Sequence, residues 1–249
     1  MVNLFSANTT YGKRAKLGLI VPPTNTVNEA EWSKMVPEGV TFHVTRMPLH
    51  TDTSSAEGKK AIYTDIKKST EDLAQAGLSV IAYGCTAGSM VQPLDQLSNF
   101  MSEVSGIPCI TTAGSIISAL NFLNIKKIAI ATPYHDALNT HEVKFLASNN
   151  FETVKITGLG IGAAGPHEYI EIARTEENTI EDHVLSVDHP DAEAILVSCT
   201  DFPSISIISK LERKIKKPII TSNQATLWAA LRAAGIKDQL SGYGILLAA

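Results

Sequence analysis

Two stretches of this chain end in the same way, and they limit what it can fold into more than any other feature. Val80-Ile81-Ala82-Tyr83-Gly84 is an apolar run that stops at Cys85-Thr86-Ala87-Gly88-Ser89. Ala194-Ile195-Leu196-Val197-Ser198 stops at Cys199-Thr200-Asp201, its cysteine 114 residues after the first. A short hydrophobic run bounded by turn signals reads as a buried strand. In an α/β sheet, the carboxyl end of such a strand is where ligands bind. The surroundings repeat as well. Pro22 to Cys85 spans 63 residues and Pro133 to Cys199 spans 66; Cys85 to Pro108 spans 23 and Cys199 to Pro218 spans 19. Strands that alternate with helices and then restart predict an α/β fold of two similar Rossmann-like (flavodoxin-like) halves. Their parallel sheets would be related by a pseudo-twofold axis. Residues 1–124 form the first half, with a C-terminal return over 223–249, and residues 125–222 form the second. That symmetry would bring both cysteines to one cleft.

Read in order, 16–21 is the first strand, and Pro22-Pro23 ends it. Proline cannot continue a central strand, so the chain turns and exposes Thr24, Asn25 and Thr26. A helix over 28–35 and a strand over 40–47 follow. Ser54 or Ser55 caps a helix running to 76. After the strand at 80–84 come a helix over 94–104, a short strand over 107–112 and a helix over 115–124. The second half runs as a strand over 127–132 leading into Pro133-Tyr134, a helix over 135–149, a strand over 153–158 and a helical region over 170–187. It closes with the strand over 194–198, a helix over 204–215, a strand over 217–222 and a helix over 225–234.

The 249 residues are 44% hydrophobic and 18% charged, with a net charge of −4 and no basic stripe. Nothing in that balance favours nucleic acid or an anionic membrane as partner. The first fourteen residues are polar and no run of about 18 apolar residues occurs, which predicts a cytoplasmic protein. Three cysteines, an odd number, make a poor disulfide framework and leave room for reactive thiols.

A cysteine at a helix amino end gains from unpaired backbone N–H groups, which favour its thiolate and pull its pKa toward neutrality. The same N–H groups could hold a carboxylate, together with Thr86, Ser89, Thr200 and the loops at Asn25 and Tyr134. Two thiols facing each other across a carboxylate suit racemisation, one removing a proton and the other returning it. They also suit covalent addition to an activated double bond followed by rotation and release. Neither reaction needs a metal or an organic cofactor. Against this stands the reading of free cysteine as a small buried core residue. The repeat favours function for Cys85 and Cys199. Cys109, matched by Ile219 in the second half, reads as structural. Gly160-Ile161-Gly162-Ala163-Ala164-Gly165 fits the dinucleotide pattern, but Pro166 follows and no acid-ended strand lies about 20 residues on, so it reads as a turn or lid. His135 and His141 lack the spacing of a helical metal pair and read as solvated surface. The 210–217 charge run reads as a solvated helix end, and a Cys–His hydrolase using His50 or His167 stays open.

At its cysteine motifs the chain resembles the Asp/Glu racemase superfamily, in the maleate isomerase and arylmalonate decarboxylase branch. The resemblance runs from Leu17-Gly18-Leu19-Ile20-Val21-Pro22-Pro23-Thr24-Asn25-Thr26 to Gly242-Tyr243-Gly244. It implies two Rossmann-like halves clasping a small carboxylate or dicarboxylate between two cysteine positions, without cofactor or metal, in a homodimer. Decarboxylases of this branch keep only the cysteine matching Cys199, so Cys85 argues against decarboxylation. The isomerase pattern has an asparagine matched by Asn25 and a tyrosine after proline matched by Tyr134. By that resemblance Cys85 adds to a maleate double bond and Cys199 is its acid–base partner. Asn25 and Tyr134 bind the carboxylates, with Pro22, Thr24, Thr86 and Thr200 completing the substrate-binding set. One departure stands out. The isomerases carry a further asparagine in the loop after the second-half strand, and residues 151–177 contain none. A related cis-dicarboxylate, or a racemisable amino or hydroxy acid, therefore stays open beside maleate, and so does a carboxylate-binding protein without turnover.

Overall fold

The structure, a computed structural model, describes residues 9–50 and 55–249. Ser54 and the start of the polar amino-terminal stretch lie outside the described residues. Among the described residues the helix after the second strand is capped by Ser55, whose side chain accepts from the Gly58 N–H.

The elements follow one another as β1 (Ala15–Val21), α1 (Asn28–Met35), β2 (Val40–Arg46), α2 (Ala56–Ala74), β3 (Val80–Tyr83), α3 (Thr86–Ser89), α4 (Gln96–Ser105), β4 (Cys109–Thr111) and α5 (Thr112–Phe122). The series then restarts with β5 (Lys127–Tyr134), α6 (Asp136–Ser148), β6 (Glu152–Ile161), a 3-10 strap (Pro166–Arg174), α7 (Glu177–Val187), β7 (Ala194–Val197), α8 (Ile208–Ile215), β8 (Ile219–Thr221), α9 (Ser222–Ala233) and α10 (Ile245–Ala248). Two four-stranded parallel sheets result, ordered β2-β1-β3-β4 and β6-β5-β7-β8. The central strands β3 and β7 are buried along their whole length, as near-continuous apolar runs in a helix-covered parallel sheet must be.

Register makes the repeat concrete. Ile20 pairs with Tyr83 in the first sheet and Ala131 with Val197 in the second; Ile81 pairs with Cys109 and Ile195 with Ile219. Cys109 thus occupies the place of an isoleucine and is buried in the core. Thr111 and Thr221 both cap the helix that follows, each hydroxyl accepting the backbone N–H three residues on. The helices α5 and α9 pack on each other, α9 also reaching β3 and β4 while α5 reaches β8. No helix among the described residues is long and apolar enough to cross a membrane.

Three local readings change. β5 does not stop at Pro133 but runs through it to Tyr134, with the pairing to β6 shifted between Thr132 and Tyr134. A register shift lets the strand pass a residue that has no N–H to give. The region over 170–187 is two elements, because Thr175 and Glu176 are extended between the 3-10 strap and α7. The helix expected from 204 starts at Ile208, after a turn.

Candidate active site

Between the carboxyl edges of the two sheets lies a cavity of about 750 Å³. Pro22, Thr24, Asn25, Cys85, Thr86, Tyr134, Cys199 and Thr200 all line it, whereas Ser89, also named as a candidate, does not: it is buried behind the loop, donating to the Cys85 and Thr86 carbonyls.

Each cysteine stands two positions beyond the end of a central strand, after Gly84 or Ser198. Cys85 caps α3, its sulfur accepting from the Gly88 N–H at 3.4 Å. Cys199 departs from the expected helix end. It sits in a turn with φ of 145°, a left-handed conformation that costs a side-chain-bearing residue about 1–3 kcal/mol. Its N–H donates to the Ser222 hydroxyl at 3.0 Å, and its sulfur accepts from the Asp201 N–H at 3.4 Å. The threonines that follow the cysteines cross over. Thr86 donates to Ser222, the residue holding the Cys199 amide, at 2.9 Å, and Thr200 donates to the Gly84 carbonyl beside Cys85 at 3.1 Å. Each half therefore fixes the other's cysteine loop.

Asn25 is 1% exposed rather than presented to solvent. Its Oδ1 accepts from the N–H groups of Val27 and Asn28, and its Nδ2 donates to Thr200 at 3.0 Å. One amide hydrogen is left for a ligand in the cavity.

Each thiol also meets a tyrosine. The Tyr134 hydroxyl stands by Cys199 and the Tyr83 hydroxyl by Cys85, each able to donate to the charged form of its thiol. Burial pushes both phenols well above their ordinary range. Burial also raises both thiols, against the fall expected of a helix-end cysteine. The Cys85 thiol goes up, opposed by the Gly88 N–H and the Tyr83 hydroxyl. Cys199 is pushed up to about 12 by burial, opposed by Tyr134 and the Asp201 N–H, while the charges of Asp201 and Cys85 add to the rise. Desolvation disfavours the charged form, and here it outweighs one or two N–H or O–H donors.

Four residues that sequence reasoning did not single out for the site complete it. Tyr83 stands two positions before Cys85, and side chains at i and i+2 of an extended segment share a face; that spacing was the available signal. Gly88 is needed bare, since a Cβ there would lie 2.7 Å from the Tyr83 hydroxyl and 3.1 Å from the Cys85 sulfur. Asp201 is buried, takes the Thr26 N–H at 3.0 Å and is pushed up to about 6 by burial. Tyr169 on the 3-10 strap forms a wall of the cavity. The glycine-rich stretch read as a turn or lid begins as the end of β6 at Gly160-Ile161 and turns only over 162–164, where Glu168 closes it, its Oε2 accepting from Gly162 and Ala164. His141 is exposed at the cavity rim, with a ring nitrogen 3.1 Å from the Met90 carbonyl.

Known proteins share the fold of this chain over most of its length. Residues 17–247 match the family described as Arylmalonate decarboxylase. A maleate isomerase of Geobacillus stearothermophilus is 26% identical, over 94% of this chain and 98% of its own. An arylmalonate decarboxylase of Bordetella bronchiseptica is 27% identical, over 88% and 90%. Among solved structures, a variant of the maleate isomerase Iso from Pseudomonas putida S16 with maleate superposes with a TM-score of 0.82 at 25% identity, covering 94% of this chain and 97% of its own.

Proposed function

The chain belongs to the arylmalonate decarboxylase family, and within it we propose that this protein is an isomerase that interconverts the cis and trans forms of a small unsaturated dicarboxylate, maleate first, through its two thiols. The observation that carries the reading is the pair Cys85 and Cys199 lining one cavity, with Tyr83 and Tyr134 lining it beside them. Full-length likeness to maleate isomerases supports the same substrate class.

The chemistry runs as follows. Cys85, the more open of the two thiols, enters the cycle as its thiolate, having released its proton to solvent, and its sulfur adds to one alkene carbon. The displaced electron pair moves to the neighbouring carbon and onto its carboxylate. Cys199 holds its proton tightly at neutral pH, being pushed up to about 12, and gives it to that carbon. The former double bond is now single and rotates. Cys199 takes the proton back, the C–S bond breaks, and the trans product leaves with the Cys85 thiolate restored. Asn25 and Tyr134 hold the carboxylates, with Thr24, Thr86 and Thr200 around them and Pro22 setting the turn. A homodimer in the cytoplasm belongs to the same reading.

Proton NMR of the reduced protein with maleate in D₂O tests it. A fumarate signal should grow, and both Cys85→Ser and Cys199→Ser should abolish it. Exchange of the α-proton in a chiral amino or hydroxy acid, without fumarate, would replace isomerisation with racemisation.

A further inference from the structure

The tyrosines at the two thiols reach them by different routes. Tyr134 comes from the end of β5, a strand adjacent to the one bearing Cys199. The register places Pro23 at the equivalent position in the first half, so Cys85 has no partner of that kind. Tyr83 instead ends the strand that leads to Cys85, and its counterpart beside Cys199 is Val197. The first thiol thus has a phenol of its own beside it, both bordering the point where a Gly88 Cβ would stand, 2.7 Å from the hydroxyl and 3.1 Å from the sulfur, and that phenol comes from a position that the repeat fills with an aliphatic side chain. The phenol is also built in. Tyr83 is buried and lines the cavity, and Gly88 leaves the space its hydroxyl occupies, 2.7 Å from where a Cβ would stand.

We propose that Tyr83 is a further catalytic residue, whose hydroxyl donates a hydrogen bond to the Cys85 sulfur, favouring the thiolate for addition to the alkene and again when the C–S bond breaks. The inference rests on Cys85 being the nucleophile. A buried thiol starts from an unfavourable position, and a donor to its charged form offsets part of the desolvation. Lowering a high thiol pKa by about 1 raises the thiolate fraction tenfold while intrinsic nucleophilicity falls about threefold, so the net gain at neutral pH is about threefold. The elimination step gains in the same direction, because the departing sulfur carries the charge.

The test reads Cys85 directly and does not depend on turnover. Alkylation by iodoacetamide, located by peptide mass mapping, is followed from neutral to alkaline pH in the wild type and in Tyr83→Phe. The midpoint for Cys85 should rise by about 1 and the neutral-pH rate should fall about threefold, with the Cys199 profile unmoved. Gly88→Ala, which keeps the hydroxyl but pushes it off the sulfur, should raise the same midpoint; crowding alone would slow alkylation equally at every pH. With maleate, Tyr83→Phe should lower kcat at least threefold and leave KM unchanged. A Cys85 midpoint identical in wild type and Tyr83→Phe overturns the proposal whatever isomerisation does. Absence of fumarate in the wild type, with the midpoint shifted, would overturn the isomerase reading and leave the role of Tyr83 as thiol donor standing.

Discussion

The Glu142 carboxyl is fully buried on α6, and neither of its oxygens makes a well-formed hydrogen bond; the Ser198 hydroxyl is the polar group facing it. Burial pushes it up to about 7, from an ordinary 4.5. Between those two values the folded protein binds more protons than the unfolded chain, so stability falls as pH rises from 4.5 and the loss is complete above 7. The ionised form costs about 3 kcal/mol on that span. Glu142→Gln should therefore be close to neutral at acid pH and more stable than wild type at about pH 8, by about 2–3 kcal/mol. Thermal unfolding at both pH values checks this, and equal differences at the two would refute it. Asp201, held up at about 6, adds a slope of the same sign that the variant keeps. At this scale the sequence revealed residues whose chemistry repeats. Both cysteines could be picked out because they sat at matching positions of the repeat, and Asn25 and Tyr134 because each follows proline at a strand end and matches the family pattern. Glu142 could not, since a glutamate in an amphipathic helix reads as solvated until the sheet above it is known. The thiols' direction of shift was also hidden, because helix-end N–H groups can be read from sequence while the burial that outweighs them cannot.

Elements with strong punctuation were easy to read. α1 spans 28–35 as expected, because Pro22-Pro23 and the turn at Asn25 leave it only one place to begin. The β5–β6 pair was harder, and a proline signal caused the error. Pro133 looked like a stop, yet β6 bends around it and carries the bare Gly158 where the strands come closest. A Cβ on Gly158 would lie 2.0 Å from the Tyr134 carbonyl and 2.5 Å from the Asn139 amide nitrogen. Both are parts of the unit that aims Tyr134: Thr132 donates to Asn139, which in turn donates to the Tyr134 carbonyl. Backbone cannot retreat from a contact of that length without moving the strand. Gly158→Ala should cost about 3 kcal/mol in chemical denaturation. It should also lower isomerase activity beyond the fraction unfolded, because Tyr134 is displaced from Cys199. Full activity at unchanged stability would show that the two strands tolerate a wider gap. The start of the strap, over 166–169, and its separation from α7 were missed for a different reason. Its 3-10 form after a left-handed glycine leaves no 3.6-residue period to detect.

At the level of the whole chain, repeated strand endings were enough to foresee two alike halves, because register and loop chemistry are local. How the halves hold each other was not foreseeable, since it depends on polar side chains whose partners lie some 170 to 190 residues away. Glu31 on α1 is the centre of that seam. Its Oε1 accepts the N–H groups of Ser204 and Ile205 at 2.7 and 2.8 Å, and its Oε2 accepts the Asn223 amide at 2.7 Å. Asn223 also donates to the Thr200 carbonyl, and Trp32, the next residue of α1, donates its indole N–H to the Asn223 carbonyl. Burial raises the Glu31 carboxyl while those three donors oppose the rise. Removing the acceptor strands three buried donors, each costing about 1–3 kcal/mol. Glu31→Ala should then lose about 4 kcal/mol, which in a chain of this size lowers Tm by about 10 °C. Glu31→Gln keeps one acceptor and should lose roughly half as much. The alanine variant should also alkylate faster at Cys199, because Thr200 and Asp201 lose their anchor with Asn223 and the loop at Ser204. A Tm within a degree or two of wild type, with Cys199 unchanged, would mean that apolar packing of α5 on α9 joins the halves and the carboxylate merely occupies the seam.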